Sequence, residues 1–164
     1  MRVASTAAEC NKEISDIFDT VLYRNNTYKD ALESGQECEK FDRQVVIINS
    51  LSMLKDVLDD TGNEKLSLIL EKGSVEYNIF IILGDQAKYI SSINFEKWYK
   101  ANGSTQDGIW IGNGFADQYQ LKPNKVTSEH REEISAEFGY SVVAGKSVRV
   151  KVLSEKKEAD NDYE

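Results

Sequence analysis

Two short apolar runs limit what this chain can fold into more than any other feature. Gln44-Val45-Val46-Ile47-Ile48 and Asn78-Ile79-Phe80-Ile81-Ile82-Leu83 are rich in β-branched residues and bounded by polar ones. Runs of this kind read as strands buried on both faces, as in a parallel sheet. Between them, Leu51 to Asp60 carries Leu51, Leu54, Val57 and Leu58 at helical spacing. Thr61-Gly62-Asn63 then breaks the chain, and Glu64 to Lys72 forms a second helical piece ending near Gly73. Gly84-Asp85 closes the second run, and a further helix is expected from about Gln86 to Lys100, interrupted around Ser91-Ser92-Ile93-Asn94. Strand, helix, strand and helix in that order predict right-handed βαβ connections on a parallel sheet.

The flanks add an N-terminal helix and a C-terminal hairpin. From about Thr6 to Glu33, Ile14, Ile17, Phe18, Val21 and Leu22 repeat at three- and four-residue spacing, which puts them on one helical face. Arg24-Asn25-Asn26-Thr27 is a weak point, Gly35 a stop, and Gln36 to Lys40 a loop. A third short strand, Gly108 to Gly112, is followed by a polar loop and a short helix near Thr127 to Glu137. Tyr140 to Val143, a turn at Ala144-Gly145-Lys146 and Ser147 to Leu153 read as a β-hairpin. In its second arm Val148, Val150 and Val152 alternate with Arg149 and Lys151, so the valine face is expected to be buried. Residues 1–154 are expected to form one domain, and 155–164, charged and poor in apolar side chains, a disordered acidic tail.

The charge balance excludes some functions. With 28 acidic against 20 basic residues the formal charge is −8, and the basic residues are scattered, so a phosphate backbone is repelled and no nucleic-acid partner is expected. No apolar run reaches the roughly 20 residues that span a bilayer, and there is no signal-peptide pattern. Cys10, Cys38 and the single histidine, His130, make neither a disulfide framework nor a zinc site, so no metal is expected.

Few residues are placed to do chemistry. The first strand ends in Asn49, where P-loop NTPases carry an acidic residue that holds magnesium through water. An amide supplies no charge there, and Asn49 equally reads as the cap of the following helix. No G-x-x-x-x-G-K-[ST] loop occurs, so nothing in the chain cradles a nucleotide's phosphates. The densest local pattern is Gly108-Ile109-Trp110-Ile111-Gly112-Asn113-Gly114-Phe115-Ala116-Asp117-Gln118, whose glycines allow close backbone approach to a ligand and equally suit a packed strand followed by a turn. Trp98 and Tyr99, with Phe115, are candidates for a partner surface or for packing. His130, in a polar helix start, reads as solvated. Asp59-Asp60 and Glu37/Glu39 read as solvated charge.

The segment Gly108 to Leu121, together with Phe138-Gly139-Tyr140 and Val148 to Leu153, resembles the end of the EssC/YukB-type proteins of type VIIb secretion systems. These are membrane-anchored FtsK/SpoIIIE-like proteins with a series of RecA-like ATPase domains. The resemblance reaches back through both apolar runs to about Ile14, and implies an α/β fold: an incomplete RecA-like, P-loop NTPase-type parallel sheet with flanking helices and a C-terminal hairpin. It places Asn49 at a degenerate Walker B position and marks Gly108, Trp110, Gly112, Gly114, Asp117 and Gln118 as the family string and possible binding residues. It implies no catalysis and no cofactor in this chain, although the parent proteins use ATP and magnesium. The implied role is to recognise or couple secreted substrates, small helical hairpins of the WXG100 class, alongside the other domains of the motor. The implied location is cytoplasmic, at the inner face of the membrane and attached to it only through the parent protein. The alternative is a ring-completing subunit in which Gly112, Gly114 or Arg131 faces a nucleotide held by a neighbour. A sheet without its P-loop strand is expected to expose edges and apolar surface.

Overall fold

The computed structural model of the protein describes residues 2–72 and 77–152. Gly73, Leu153 and the tail from Glu155, on which some of the expectations above fall, lie outside the described residues. The chain gathers into two compact units, one up to Gly103 and one from Ser104.

In the first unit, α1 (Ala7–Ser34) runs unbroken through Arg24-Asn25-Asn26-Thr27. Thr6 and Glu9 form a reciprocal capping box at its start, and Gly35 ends it at φ 69°, a conformation glycine adopts without strain. The weak point holds because Arg24 is buried, donates to the Tyr77 carbonyl at 2.5 Å and lies over the Phe41 ring. Ile14, Ile17 and Val21 point inward as expected, whereas Leu22 is largely exposed.

β1 (Gln44–Ile48) and β2 (Ile79–Leu83) pair in parallel, Val45 opposite Phe80 and Ile47 opposite Ile82. They are joined by α2 (Leu51–Val57) and α3 (Asp60–Lys72). The helix break falls at Leu58-Asp59, not at Thr61-Gly62-Asn63. The Asp59 carboxylate accepts from Gly62 N–H, while the Asn63 side chain donates to the carbonyls of Lys55 and Leu58. These two side chains satisfy orphan groups at both helix ends, which makes the early break favourable. Gly62 then lets α3 approach α1, because a Cβ there would overlap Asn11. After β2 the expected single helix is two, α4 (Ala87–Ser92) and α5 (Lys97–Asn102), separated where Ile93 turns into the core.

The core of this unit joins Ile14, Ile17, Val21, Ile48, Leu51, Leu58, Leu66, Ile69, Leu70, Ile79, Ile93 and Trp98. It covers only one face of the parallel pair. On the other face Val45, Ile47 and Ile82 remain 51%, 68% and 55% exposed, and the Arg43 guanidinium lies 5.4 Å from the Phe80 ring centre. The expectation of strands buried on both faces is therefore corrected: the residue pattern suits a doubly covered sheet, but the described helices supply one layer.

The second unit is antiparallel. β3 (Gly108–Ile111) pairs with β4 (Phe138–Val143), which pairs with β5 (Lys146–Lys151) through a two-residue turn at Ala144 and Gly145, both at positive φ. The third strand thus joins the hairpin. Between Thr127 and Glu137 only a single 3-10 turn, Glu129–Arg131, replaces the expected helix. One sheet face carries Tyr140 and Val142, packed with Phe115, Ile134, Trp110, Leu121 and Phe138. Register places Arg149 and Lys151 on this same face, where both cations lie over the Phe138 ring. Val148 therefore points outward and is 63% exposed, the reverse of the expected burial. The long cationic side chains cover the aromatic rim while keeping their charges in water.

Candidate functional site

The two places where the sequence concentrates functional expectation are the ends of the parallel strands and the glycine-rich string. At the first, Asn49 follows β1 with its side chain exposed. It does not cap α2. Ser50 does, with its Oγ accepting from Met53 N–H, because Ser50 holds the extended backbone a cap needs. The carboxylate beside it comes from the other strand. Gly84 N–H donates to the Ile48 carbonyl at 2.7 Å, so close that a Cβ on Gly84 would meet the Asn49 carbonyl oxygen. Asp85 follows and accepts from Ser52 N–H at 2.6 Å and Gln86 N–H at 2.7 Å, with the Ser50 hydroxyl at 3.5 Å. Burial raises the Asp85 pKa, but hydrogen bonds from Ser52, Gln86 and Ser50 outweigh it and hold the group below the usual carboxylate range. Its oxygens are thus occupied in fixing the start of α2. The sequence alone assigns Asp85 only the role of closing the strand. The signal for more is a Gly-Asp pair directly after an apolar run.

The glycine-rich string is occupied by its own packing. A Cβ on Gly108 would press into the Leu121 side chain. Trp110 is half-buried against the core of this unit, and its Nε1 donates to the Asn113 carbonyl at 2.9 Å. Asn113 Oδ1 accepts from Ile134 N–H at 2.6 Å, which ties the turn to the loop before β4. Gly112 and Gly114 take φ values of 82° and 84°, a left-handed bend favouring glycine, with open space where side chains would be. The Gln118 side chain donates to the Phe115 and Leu121 carbonyls and accepts from Leu121 N–H, closing the loop on itself. Asp117 closes the 3-10 turn Phe115–Asp117 that follows the bend.

Phe115 is a core residue at 2% exposure, stacked on Tyr140 at 4.6 Å between ring centres, and Trp98 is buried in the core of the first unit. The expectation that these two form a partner surface is corrected: each is buried in the core of its unit. Tyr99 is half-buried against Trp98. Phe95 and Tyr119 are aromatics that do stand in solvent.

His130 is not solvated either. It is buried, edge-on to Phe115 and Tyr140, each 5.0 Å away. Nδ1 accepts from Thr127 N–H at 2.9 Å, and Nε2 lies 2.9 Å from Ser147 Oγ. A serine beside a histidine suggests a nucleophile and base. Here the backbone N–H facing Nδ1 assigns the ring proton to Nε2, so the imidazole donates to Ser147 and cannot take its proton. The pair is a clamp between the 3-10 turn and β5, reinforced by Tyr140 Oη donating to the Glu129 carbonyl at 2.7 Å.

Among solved structures, the cytoplasmic domain of EssC matches with a TM-score of 0.66 over 92% of this chain, at 14% sequence identity. The fold is thus shared with a part of the EssC cytoplasmic domain. This chain spans 29% of the EssC chain it matches. No protein-family model matches the sequence, and no curated protein does. None of the described helices is long and apolar enough to cross a membrane.

Proposed function

We propose that this chain is a non-hydrolysing, RecA-like module of a type VII secretion motor, which recognises secreted substrates or couples them to neighbouring ATPase domains. The observation that carries the reading is the uncovered face of the β1–β2 pair, in a fold shared with the EssC cytoplasmic domain. Parallel strands this apolar are ordinarily covered on both sides, and a neighbouring domain of a larger motor would supply the second layer. Two features argue against turnover by the chain alone. No phosphate-binding loop occurs in the sequence, and at the strand ends Asn49 offers an amide while the Asp85 carboxylate is committed to α2. The test is a fluorescence-anisotropy titration of the folded chain into a labelled WXG100-class secreted protein. Saturable binding is the expected result. A folded chain that binds no such protein and no motor domain would leave the proposal without support.

A second reading has its own observation. Gly112 and Gly114 present open backbone at a left-handed bend, with nothing where their Cβ atoms would be. That opening leaves room for a ring neighbour's nucleotide, which fits a ring-completing role. Saturable binding of an ATP analogue only when a P-loop-bearing domain is added would favour it.

A further inference from the structure

The chain contains two Asn-Gly steps, Asn102-Gly103 and Asn113-Gly114, and all four residues are exposed to solvent. Such a step is chemically vulnerable. The backbone nitrogen of the glycine can close a five-membered ring on the asparagine Cγ, and a glycine, having no Cβ, neither crowds that approach nor restricts φ. Whether the step reacts depends on what holds its nucleophile, its carbonyl and its leaving group. The fold treats the two steps in opposite ways.

At Asn102 both the nucleophile and the leaving group are engaged. Gly103 N–H donates to the Tyr99 carbonyl at 2.7 Å, and Asn102 Nδ2 donates to the carbonyls of Leu70 at 2.7 Å and Glu71 at 3.1 Å. At Asn113 neither Gly114 N–H nor Asn113 Nδ2 has a hydrogen-bond partner among the described residues, and the space around Gly114 is open. The carbonyl is prepared instead. Ile134 N–H donates to Asn113 Oδ1 at 2.6 Å, where it stabilises the negative charge that builds on this oxygen when Cγ is attacked, as an oxyanion-hole donor does.

We propose that Asn113-Gly114 is a site of spontaneous deamidation, with water as the co-reactant. The Gly114 nitrogen gives its proton to solvent and its electron pair forms a bond to Asn113 Cγ. The Cγ–Nδ2 bond then breaks, and Nδ2 takes up a proton and leaves as ammonia. Water opens the resulting imide ring at Cγ to give an aspartate, or at the backbone carbonyl carbon to give an isoaspartyl linkage. Either product puts a negative charge at the glycine-rich bend. The isoaspartyl form also lengthens the main chain and disturbs the two contacts, with Trp110 and Ile134, through which Asn113 ties the turn down. The site stands apart from the function proposed above, and its test needs no partner protein.

The full chain is aged at neutral pH, either folded or in guanidinium chloride, and mapped by proteolysis and mass spectrometry. In the folded chain Asn113 should turn from amide to acid at least about tenfold faster than Asn102, where three hydrogen bonds must open first. In the unfolded chain that difference should collapse. An isoaspartyl methyltransferase should label the aged folded protein at position 113. Asn113→Gln, whose ring would be six-membered and slow to close, should remove the fast conversion and leave Asn102 as it was. Near-ultraviolet circular dichroism checks that this variant is folded. An Asn113 that stays intact in the folded chain, or an Asn102 that keeps pace with it there, would overturn the proposal.

Discussion

Gly139 has no room for a side chain. A Cβ there would overlap the Trp110 carbonyl oxygen and crowd the Ile111 Cα, all backbone of β3 that cannot rotate away. Gly139→Ala should therefore force β3 and β4 apart and cost about 1–3 kcal/mol, in the range of overpacked interiors. Urea unfolding followed by tryptophan fluorescence measures it, and an unchanged midpoint would contradict the close approach. Asp85 carries a different prediction. Its folded pKa lies below the usual value, so its stabilising contribution is present above the unfolded pKa of about 3.9 and is lost as pH falls through the folded value. Asp85→Ala should cost about 1 kcal/mol at neutral pH, as lost helix caps do, and the deficit should shrink on acidification below about pH 4. Thermal melts of both proteins across that range test it. A deficit that stayed constant with pH would show that the charge is not what matters.

The parallel pair tests how sheet faces differ. Ile48 is buried in the core with Leu51 and the α1 residues, whereas its neighbour Ile47 stands on the uncovered face. Ile48→Ala should cost about 2–5 kcal/mol, while Ile47→Lys should stay within about 0.5 kcal/mol, as exposed substitutions do. Equal costs would mean that the outer face is covered in solution. The elements themselves were largely legible: the stop at Gly35, both apolar strands and the Ala144-Gly145 hairpin follow from local chemistry. What was not legible depends on partners distant in sequence. Nothing local says that Asn63 reaches back to α2 and moves the helix break, or that Arg149 lies over Phe138 and turns Val148 outward. His130 reads as solvated among its charged neighbours, and only the fold brings Phe115, Tyr140 and Ser147 around it. The glycine-rich string was legible as a pattern, but its hydrogen bonds are spent on β4, within its own loop and on the loop before β4, so the pattern marks a fold as much as a ligand site.

At the scale of the whole molecule, the chain shares its fold with a part of the EssC cytoplasmic domain, spanning 29% of the EssC chain it matches, and the described residues leave apolar β-branched side chains exposed on both sheets. The central claim is that the face of the parallel pair receives a neighbouring domain of a secretion motor and that this chain hydrolyses no nucleotide by itself. Sedimentation velocity of the folded chain mixed with a separately purified, P-loop-bearing ATPase domain of an EssC-type motor tests it most directly. The account predicts a complex that Ile47→Lys disrupts, with no ATP turnover by the chain alone. Two species that sediment independently, or turnover of magnesium–ATP by the chain alone, would contradict it.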